Sequence, residues 1–347
     1  MGDFGDLEKE IIEPGICTHC GACLSVCPDY NIEWGDDDRP HRDEAKGMCE
    51  NCSECYDGCH SVQGHFNEDE MDKFVFKESR NKEDKIGIYK QIVSAQSTDK
   101  KILQNSQDGG IVSAIAAYLF DNNKVDGIIS TGRGLENNSW KPEPEVAVSM
   151  EEFLATSGTK YYIAPILKML KVGVIDKMLD RLAVVGLPCQ IRSSRFLEKI
   201  KFDLAPAIFY TIGLFCTQNY KYNDLKDAIE QKGLDISNVD KMYIDKGFYH
   251  VVSDNKEIKI ALKDMKDWVL SFCQYCNDYS AEYADISIGN QGSETGWSTI
   301  VIRTDKGEKL FNGLKDDGYI KTKEIEKPEL IFSNSEIKRK NSKTPFN

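Results

Sequence analysis

C-T-H-C-G-A-C-L-S-V-C-P, from Cys17 to Pro28, and C-E-N-C-S-E-C-Y-D-G-C, from Cys49 to Cys59, decide how this chain is read. Each half has the spacing C-x2-C-x2-C-x3-C, the run that holds a pair of cubane iron–sulfur clusters. In that arrangement three thiolates of one run share a cluster with the last cysteine of the other. One 4Fe-4S cluster is therefore expected on Cys17, Cys20, Cys23 and Cys59. The second is expected on Cys49, Cys52, Cys55 and Cys27. Three close cysteines on a tight loop wrap one face of a cube, and the fourth is carried away to its neighbour. Gly21 and Pro28 suit such loops, because glycine tolerates positive φ and proline ends a segment. Structural zinc would use cysteines in pairs, four to a metal, which fits triplets with a distant fourth poorly. Disulfides would need an oxidising compartment, to which nothing in the sequence points.

Composition bounds the rest. At 347 residues the chain is long enough for about two domains. It is 40% hydrophobic and 29% charged, ordinary for a soluble globular protein. Ile111 to Phe120, the longest apolar run, falls short of the roughly 18 residues needed to span a bilayer. The acidic start M-G-D-F-G-D-L-E-K-E has no apolar core and does not read as a signal peptide. The formal charge of −13 argues against nucleic acid as a partner and against an anionic membrane surface. A cytoplasmic protein, free or docked on a larger assembly, is the expectation.

Residues 1–80 are expected to form the cluster domain, with Glu33 to Glu44 as a polar surface loop. His41, His60 and His65 lie nearby, but thiolates already fill the eight ligand positions of two cubanes. The charge run K-E-S-R-N-K-E-D-K, residues 77–85, marks a boundary. From Ile86 the pattern I-G-I-Y-K-Q-I-V-S-A-Q-S alternates as a strand does. In S-Q-D-G-G-I-V-S-A-I-A-A-Y-L-F, Asp108 or Gly109 is placed to cap a helix whose apolar face is Ile111, Ile115, Tyr118 and Leu119. Two glycines at a helix start let backbone N–H groups approach a phosphate. A capped core helix would read the same way. Asp121 to Gly134 reads turn, strand and glycine loop, without the dinucleotide fingerprint. Glu151 onward reads as a helix ending near Ser157-Gly158. A strand over Leu182 to Leu187 leads to G-L-P-C-Q, placing Cys189 on a turn. A second strand, from Ile208, leads to Cys216, and a helix is expected over Tyr222 to Lys232. Cys273 and Cys276 form a C-x2-C pair. These four cysteines suffice for a third cubane, for zinc, or for buried unliganded thiols. A glycine loop and a strand pair are expected over Gly289 to Gly307. The lysine-rich end is expected to fray.

Taken in order, Q-D-G-G-I-V-S-A from Gln107, V-D-G-I-I from Val125, S-G-T-K-Y from Ser157, G-L-P-C-Q from Gly186, G-L-F-C from Gly213, and C-Q-Y-C-N-D-Y-S-A-E-Y-A-D-I-S-I-G from Cys273 resemble the family of coenzyme F420 hydrogenase and dehydrogenase beta subunits. The resemblance covers roughly residues 86–305. The two-cluster segment in front of it looks like members that serve as the input module of F420H2 dehydrogenase or that sit beside heterodisulfide reductase. The fold class implied is α+β: a bacterial-type two-cluster ferredoxin domain, 1–80, joined to an α/β FAD- and F420-binding domain, 86–305, with a C-terminal extension, 306–347. The resemblance implies FAD, coenzyme F420 as substrate, and a third 4Fe-4S cluster on Cys189, Cys216, Cys273 and Cys276. Gln107, Asp108, Gly109, Gly110 and Ser113, with Ser157, Gly158, Thr159, Lys160 and Tyr161, become candidate FAD contacts. Lys160, Arg133, Arg192 and Arg195 are candidate liners for the anionic tail of F420.

The function this implies is hydride exchange between F420 and FAD, followed by one-electron transfer through the clusters to or from a partner. Hydride transfer itself needs no side-chain acid or base, so no catalytic residue is named. Partners of the implied kind are ferredoxin, heterodisulfide reductase, hydrogenase subunits or a membrane dehydrogenase complex. The competing readings are an electron-transfer protein with clusters alone, and a ferredoxin-linked flavin reductase acting on another substrate.

Overall fold

The structure, a computed structural model, describes residues 2–46, 49, 52–134, 140–253 and 256–343. Its strands, in chain order, are β1 (Ile32–Trp34), β2 (Pro40–Arg42), β3 (Gln91–Ser97), β4 (Gly127–Gly132), β5 (Glu143–Ala147), β6 (Leu182–Gly186) and β7 (Ile208–Leu214). They continue with β8 (Lys241–Asp245), β9 (Phe248–Ser253), β10 (Lys256–Ala261), β11 (Ile286–Gly289), β12 (Ser298–Ile302) and β13 (Ile320–Lys323).

Among the described residues, eight strands form one mixed sheet in the order β13-β3-β12-β11-β7-β6-β4-β5. The centre is parallel: β4 with β6, β6 with β7, and β7 with β11. β12 runs against both β11 and β3, so β3 points the same way as the parallel strands. The carboxyl ends of β3, β4, β6, β7 and β11 therefore share one edge, where open α/β sheets bind their ligands.

Alternation along the strands divides the core in two. Ala183 and Val185 of β6 face the side covered by the helices Ile111–Asp121 and Asp305–Asp316. Leu182 and Val184 face the other side, with Ile191 and Phe196 of the helix Pro188–Lys199. The cysteine-rich segment shares that second core through Phe4, Leu7, Ile11, Val26, Phe66 and Met71. Complete burial of each large apolar side chain contributes about 1.5–3 kcal/mol. A three-stranded sheet, β10-β9-β8, packs with the helix Tyr222–Gln231 around Tyr249, Leu225, Tyr220 and Trp140.

Several expectations change. The Glu33 to Glu44 loop contains the hairpin of β1 and β2, paired Ile32 to Arg42 through Trp34 to Pro40. The strand anticipated from Ile86 begins at Gln91. The helix after the two glycines is capped by Gly110 itself, at φ 69°, rather than by Asp108 or Gly109. Cys189 lies in the first turn of the helix Pro188–Lys199, not on a turn, because Pro188 supplies a pre-set helical φ. The strand pair expected after Gly289 is the single strand β12, and a helix follows.

The lysine-rich end does not fray up to residue 343. β13 is an edge strand of the main sheet, and the helix Glu329–Asn341 buries Ile331, Ser335 and Lys338. Composition hid this, because the buried stripe is narrow. Residues 344–347 lie outside the described residues. Arg80, in the charge run, binds Asp72 at 2.6 Å, Glu282 at 2.6 Å and the Tyr283 hydroxyl at 2.7 Å. Arg339 meets Glu282 from the other side, at 2.6 Å. Among the described residues, no helix is long and apolar enough to cross a membrane.

Candidate functional site

The N-terminal thiols gather as two neighbouring groups. Cys17, Cys20, Cys23 and Cys59 line one small cavity walled by Leu7, Ile11, Ile12, Ala22 and Trp34. Gly21 makes that loop possible: its φ is 85°, and a Cβ there would sit 2.5 Å from the Pro165 carbonyl oxygen. Burial, and next the charge of Cys20, push the Cys17 thiol up to about 12. Burial raises Cys23 as well, followed by the charges of Cys17, Cys20, Cys59 and Cys55. Cys55 is pushed to about 12 by burial and then by Cys52, Cys27 and Cys49. Thiols that disfavour one another's ionisation across a shared apolar space suit a cationic iron core, which reverses the cost of each thiolate. Residues 47, 48, 50 and 51, beside Cys49 and Cys52, lie outside the described residues.

The later four cysteines also converge. Cys189 and Cys216 sit just past the carboxyl ends of the adjacent strands β6 and β7. Burial raises Cys189 most, then Cys276, Cys216 and Cys273, and last Cys20 of the N-terminal group. Burial and then Cys216 push Cys273 up to about 12. Asn219 serves this group twice: its amide N–H donates to Cys273 Sγ at 3.3 Å and its Nδ2 to Cys216 Sγ at 3.3 Å. Among the described residues, no three His, Cys, Asp or Glu side chains crowd closely enough to ligate a single ion.

The candidate FAD segments meet beside these thiols on the same edge. Gly109 closes onto the sheet: its N–H donates to Ser298 Oγ at 3.0 Å, and its carbonyl accepts from Ser97 at 2.7 Å. A Cβ there would lie 2.5 Å from the Ala95 carbonyl oxygen. Thr159 Oγ1 donates to Gln107 Oε1 at 2.6 Å, and the Tyr161 hydroxyl accepts from Ile244 N–H of β8 at 3.0 Å. Burial raises the Asp108 carboxyl, with Lys241 opposing. Ser113 is half-buried in the first turn of its helix, while Ser157 and Gly158 form the bend after the helix Met150–Ala155, Gly158 at φ 116°.

Lys160 donates to the Thr156 carbonyl at 2.6 Å, between Glu145 and Arg133. Burial lowers its ammonium to about 8. The Arg133 guanidinium lies 5.2 Å from the Trp140 ring centre. Among the described residues, its buried Nε and the buried Ser130 Oγ find no hydrogen-bond partner. Two orphaned polar atoms at the end of β4 suit a polar, anionic ligand, as a flavin dinucleotide is.

Arg192 and Arg195 do not line this region. Both face inward from the helix Pro188–Lys199. Arg195 binds Asp285 and the Tyr283 carbonyl, each at 2.9 Å, and Arg192 binds Asn277 at 2.8 Å. Sequence reasoning counted their charge without seeing which helix face is buried.

One extended stretch ties the three regions together. Tyr161, beside Gln107, accepts at its carbonyl from Tyr220 N–H, 3.0 Å. Ile163 packs with Cys189, Phe272 and Cys273. Leu167 donates its N–H to the Cys20 carbonyl at 2.9 Å. Across the same junction Ser193 Oγ lies 3.4 Å from Cys20 Sγ, and the His19 and Phe272 rings are 5.2 Å apart.

Sequence reasoning missed Asn219, Ser193 and Asn31, whose N–H donates to Cys27 Sγ at 3.2 Å; His65, which the sequence places near the cysteine runs, brings its Nδ1 to 3.0 Å from the Cys59 carbonyl. Asn219 and Asn31 follow a cysteine by three and four residues, a local signal. Ser193 is visible only in three dimensions.

Comparison with known proteins supplies the class. Residues 92–171 match the family model for the N-terminal part of the coenzyme F420 hydrogenase/dehydrogenase beta subunit, and residues 179–328 the model for its C terminus. The beta subunit of the coenzyme F420 hydrogenase of Methanothermobacter thermautotrophicus is 38% identical over 70% of this chain and 86% of its own. A component of the F420H2 dehydrogenase of Methanosarcina mazei is 30% identical over 97% of this chain and 93% of its own. The coenzyme F420-dependent sulfite reductase of Methanocaldococcus jannaschii is 34% identical over 92% of this chain, which spans 49% of that protein. A chain of the F420-reducing hydrogenase complex from Methanosarcina barkeri superposes with a TM-score of 0.72, at 33% identity over 76% of this chain and 93% of that one.

Fold and matches define an oxidoreductase component of the F420-linked class. The chain belongs to the family of coenzyme F420 hydrogenase/dehydrogenase beta subunits.

Proposed function

We propose that this chain exchanges reducing equivalents between coenzyme F420 and a protein partner, with FAD and three 4Fe-4S clusters bound along its length. Bound flavin exchanges a two-electron hydride with F420 and single electrons with iron–sulfur clusters, which is the conversion such a chain requires. The protein's part is placement. Gln107 to Gly110, Ser113, and Ser157 to Tyr161 hold the flavin at the carboxyl edge of the sheet. Arg133 and Lys160 supply positive charge there, against Glu145. Cys189, Cys216, Cys273 and Cys276 hold one cluster beside it. Cys17, Cys20, Cys23 and Cys59 hold the next, and Cys27, Cys49, Cys52 and Cys55 the last.

The observation that carries this reading is the stretch from Ser157 to Leu167, which touches the candidate flavin segment, the core thiols and the Cys20 loop in turn. Relays need short gaps between carriers, and this stretch runs from one candidate site to the next. The partner is a redox protein or complex of the hydrogenase, dehydrogenase or heterodisulfide reductase kind; the residues allow either direction of flow. The test is metal and flavin analysis of anaerobically purified protein. About twelve irons per chain and one FAD support the reading, because three cubanes carry four irons each. About eight irons with no flavin would reduce the chain to a two-cluster electron carrier.

A further inference from the structure

Two buried lysines stand out because neither belongs to an ion pair among the described residues. Lys171 is 7% exposed and points at the cysteine loop. It donates to the Cys27 carbonyl and, at 3.4 Å, to the Pro28 carbonyl, and lies 3.4 Å from the Tyr30 ring centre. Lys338 is 9% exposed, on the helix Glu329–Asn341, and donates to the Cys216 carbonyl at 2.6 Å. The two come from unrelated elements, yet each ends on the carbonyl of a cysteine in a thiol group.

Burying an ammonium is costly unless negative charge compensates it. A backbone carbonyl asks only for a neutral donor, which glutamine would provide. The carboxylates facing these lysines, Asp29 and Asp176 for Lys171 and Asp278 for Lys338, stand beyond ion-pair distance. A cluster with four thiolates carries net negative charge and gains more on reduction. Among the described residues, no buried lysine ends on a cysteine carbonyl of the middle thiol group; the buried Arg192 faces His60, next to Cys59, and is bonded to Asn277. That group's polar side-chain donor is the neutral Ser193, and the guanidinium facing it, Arg39, is screened by water.

We propose that Lys171 and Lys338 are positioning charges that make the two end clusters easier to reduce than the cluster between them. The inference rests on the assignment of the thiols as cluster ligands. Net charge and hydrogen bonding around the sulfurs are established determinants of cluster potential. The end clusters then store electrons, and the middle one is a step between them.

The test is a potentiometric titration of the anaerobic holoprotein followed by EPR, with signals assigned through Cys→Ser exchange of one ligand per group. Lys171→Gln and Lys338→Gln keep a donor and lose the charge. Each is expected to make reduction of its own cluster about tenfold less favourable, about 59 mV for a one-electron couple, and to leave the other clusters unchanged. Lys→Arg at either site should restore most of the shift. Unchanged potentials in Gln variants with full iron content would overturn the proposal. The wild-type protein gives a readout that needs no variant: the middle cluster must be the last of the three to be reduced. Its reduction ahead of either neighbour would overturn the proposal equally. A wild-type protein without cluster signals would instead contradict the cofactor assignment itself.

Discussion

Ser193 Oγ lies 3.4 Å from Cys20 Sγ, joining the helix that begins beside Cys189 to the N-terminal cysteine loop. A hydroxyl donated to a ligating sulfur withdraws charge from it and favours the reduced cluster. Ser193→Ala should lower the potential of the cluster proposed on Cys17, Cys20, Cys23 and Cys59 by less than about 59 mV, with iron content unchanged. EPR-monitored titration checks it; an unchanged potential would show that the contact is packing alone.

Gly109 is pressed against the sheet on both sides. A methyl group there would meet the Ala95 carbonyl oxygen at 2.5 Å and the Ser298 nitrogen at 2.6 Å. Gly109→Ala should cost about 1–3 kcal/mol and weaken the proposed flavin binding, since the loop must back away from β3 and β12. Thermal unfolding with and without added FAD measures both effects.

Lys160 has its ammonium lowered to about 8 by burial. A native group that loses its proton before the unfolded chain does adds stability as pH rises, so the flavin-free protein should gain stability between about pH 8 and 10.5. Affinity for FAD should move the opposite way, falling as pH rises through 8 and the positive charge is lost. Lys160→Met should flatten both curves, which flavin-fluorescence titration and denaturant unfolding across that range would reveal.

Asp285 is buried against Arg195, Thr211 and Thr304. Burial alone would raise its carboxyl, but the Arg195 charge and these hydrogen bonds outweigh it and hold the group below the usual range. Its contribution is therefore complete above the unfolded value, about 3.9, and is lost as pH falls through the folded value. Asp285→Asn should destabilise the protein at neutral pH and show a shallower loss of stability in acid. Denaturant midpoints measured from pH 7 downward check the slope.

The cysteine runs were legible because thiolate spacing is set by local loop geometry, and β6 because Leu182–Gly186 reads as an unbroken apolar run, buried along its whole length. The burial of Arg192 and Arg195 was not legible, since Arg195 meets Asp285 90 positions further on and Arg192 hydrogen-bonds the neutral Asn277 85 positions further on. The C-terminal helix was hidden for a similar reason: Lys338 reads as solvent-facing until its carbonyl partner 122 residues earlier is known. Gly110, rather than its neighbours, caps the long helix because positive φ at that point costs glycine nothing.

The central claim is that electrons entering as a pair at the sheet edge leave singly through the cysteine-bound iron. Anaerobic mixing with reduced F420, followed by optical and EPR spectroscopy together, tests it most directly. The account predicts that the flavin band bleaches and that cluster EPR signals grow in the same sample. Protein that holds its full iron yet leaves reduced F420 unoxidised, with neither signal changed, would contradict it.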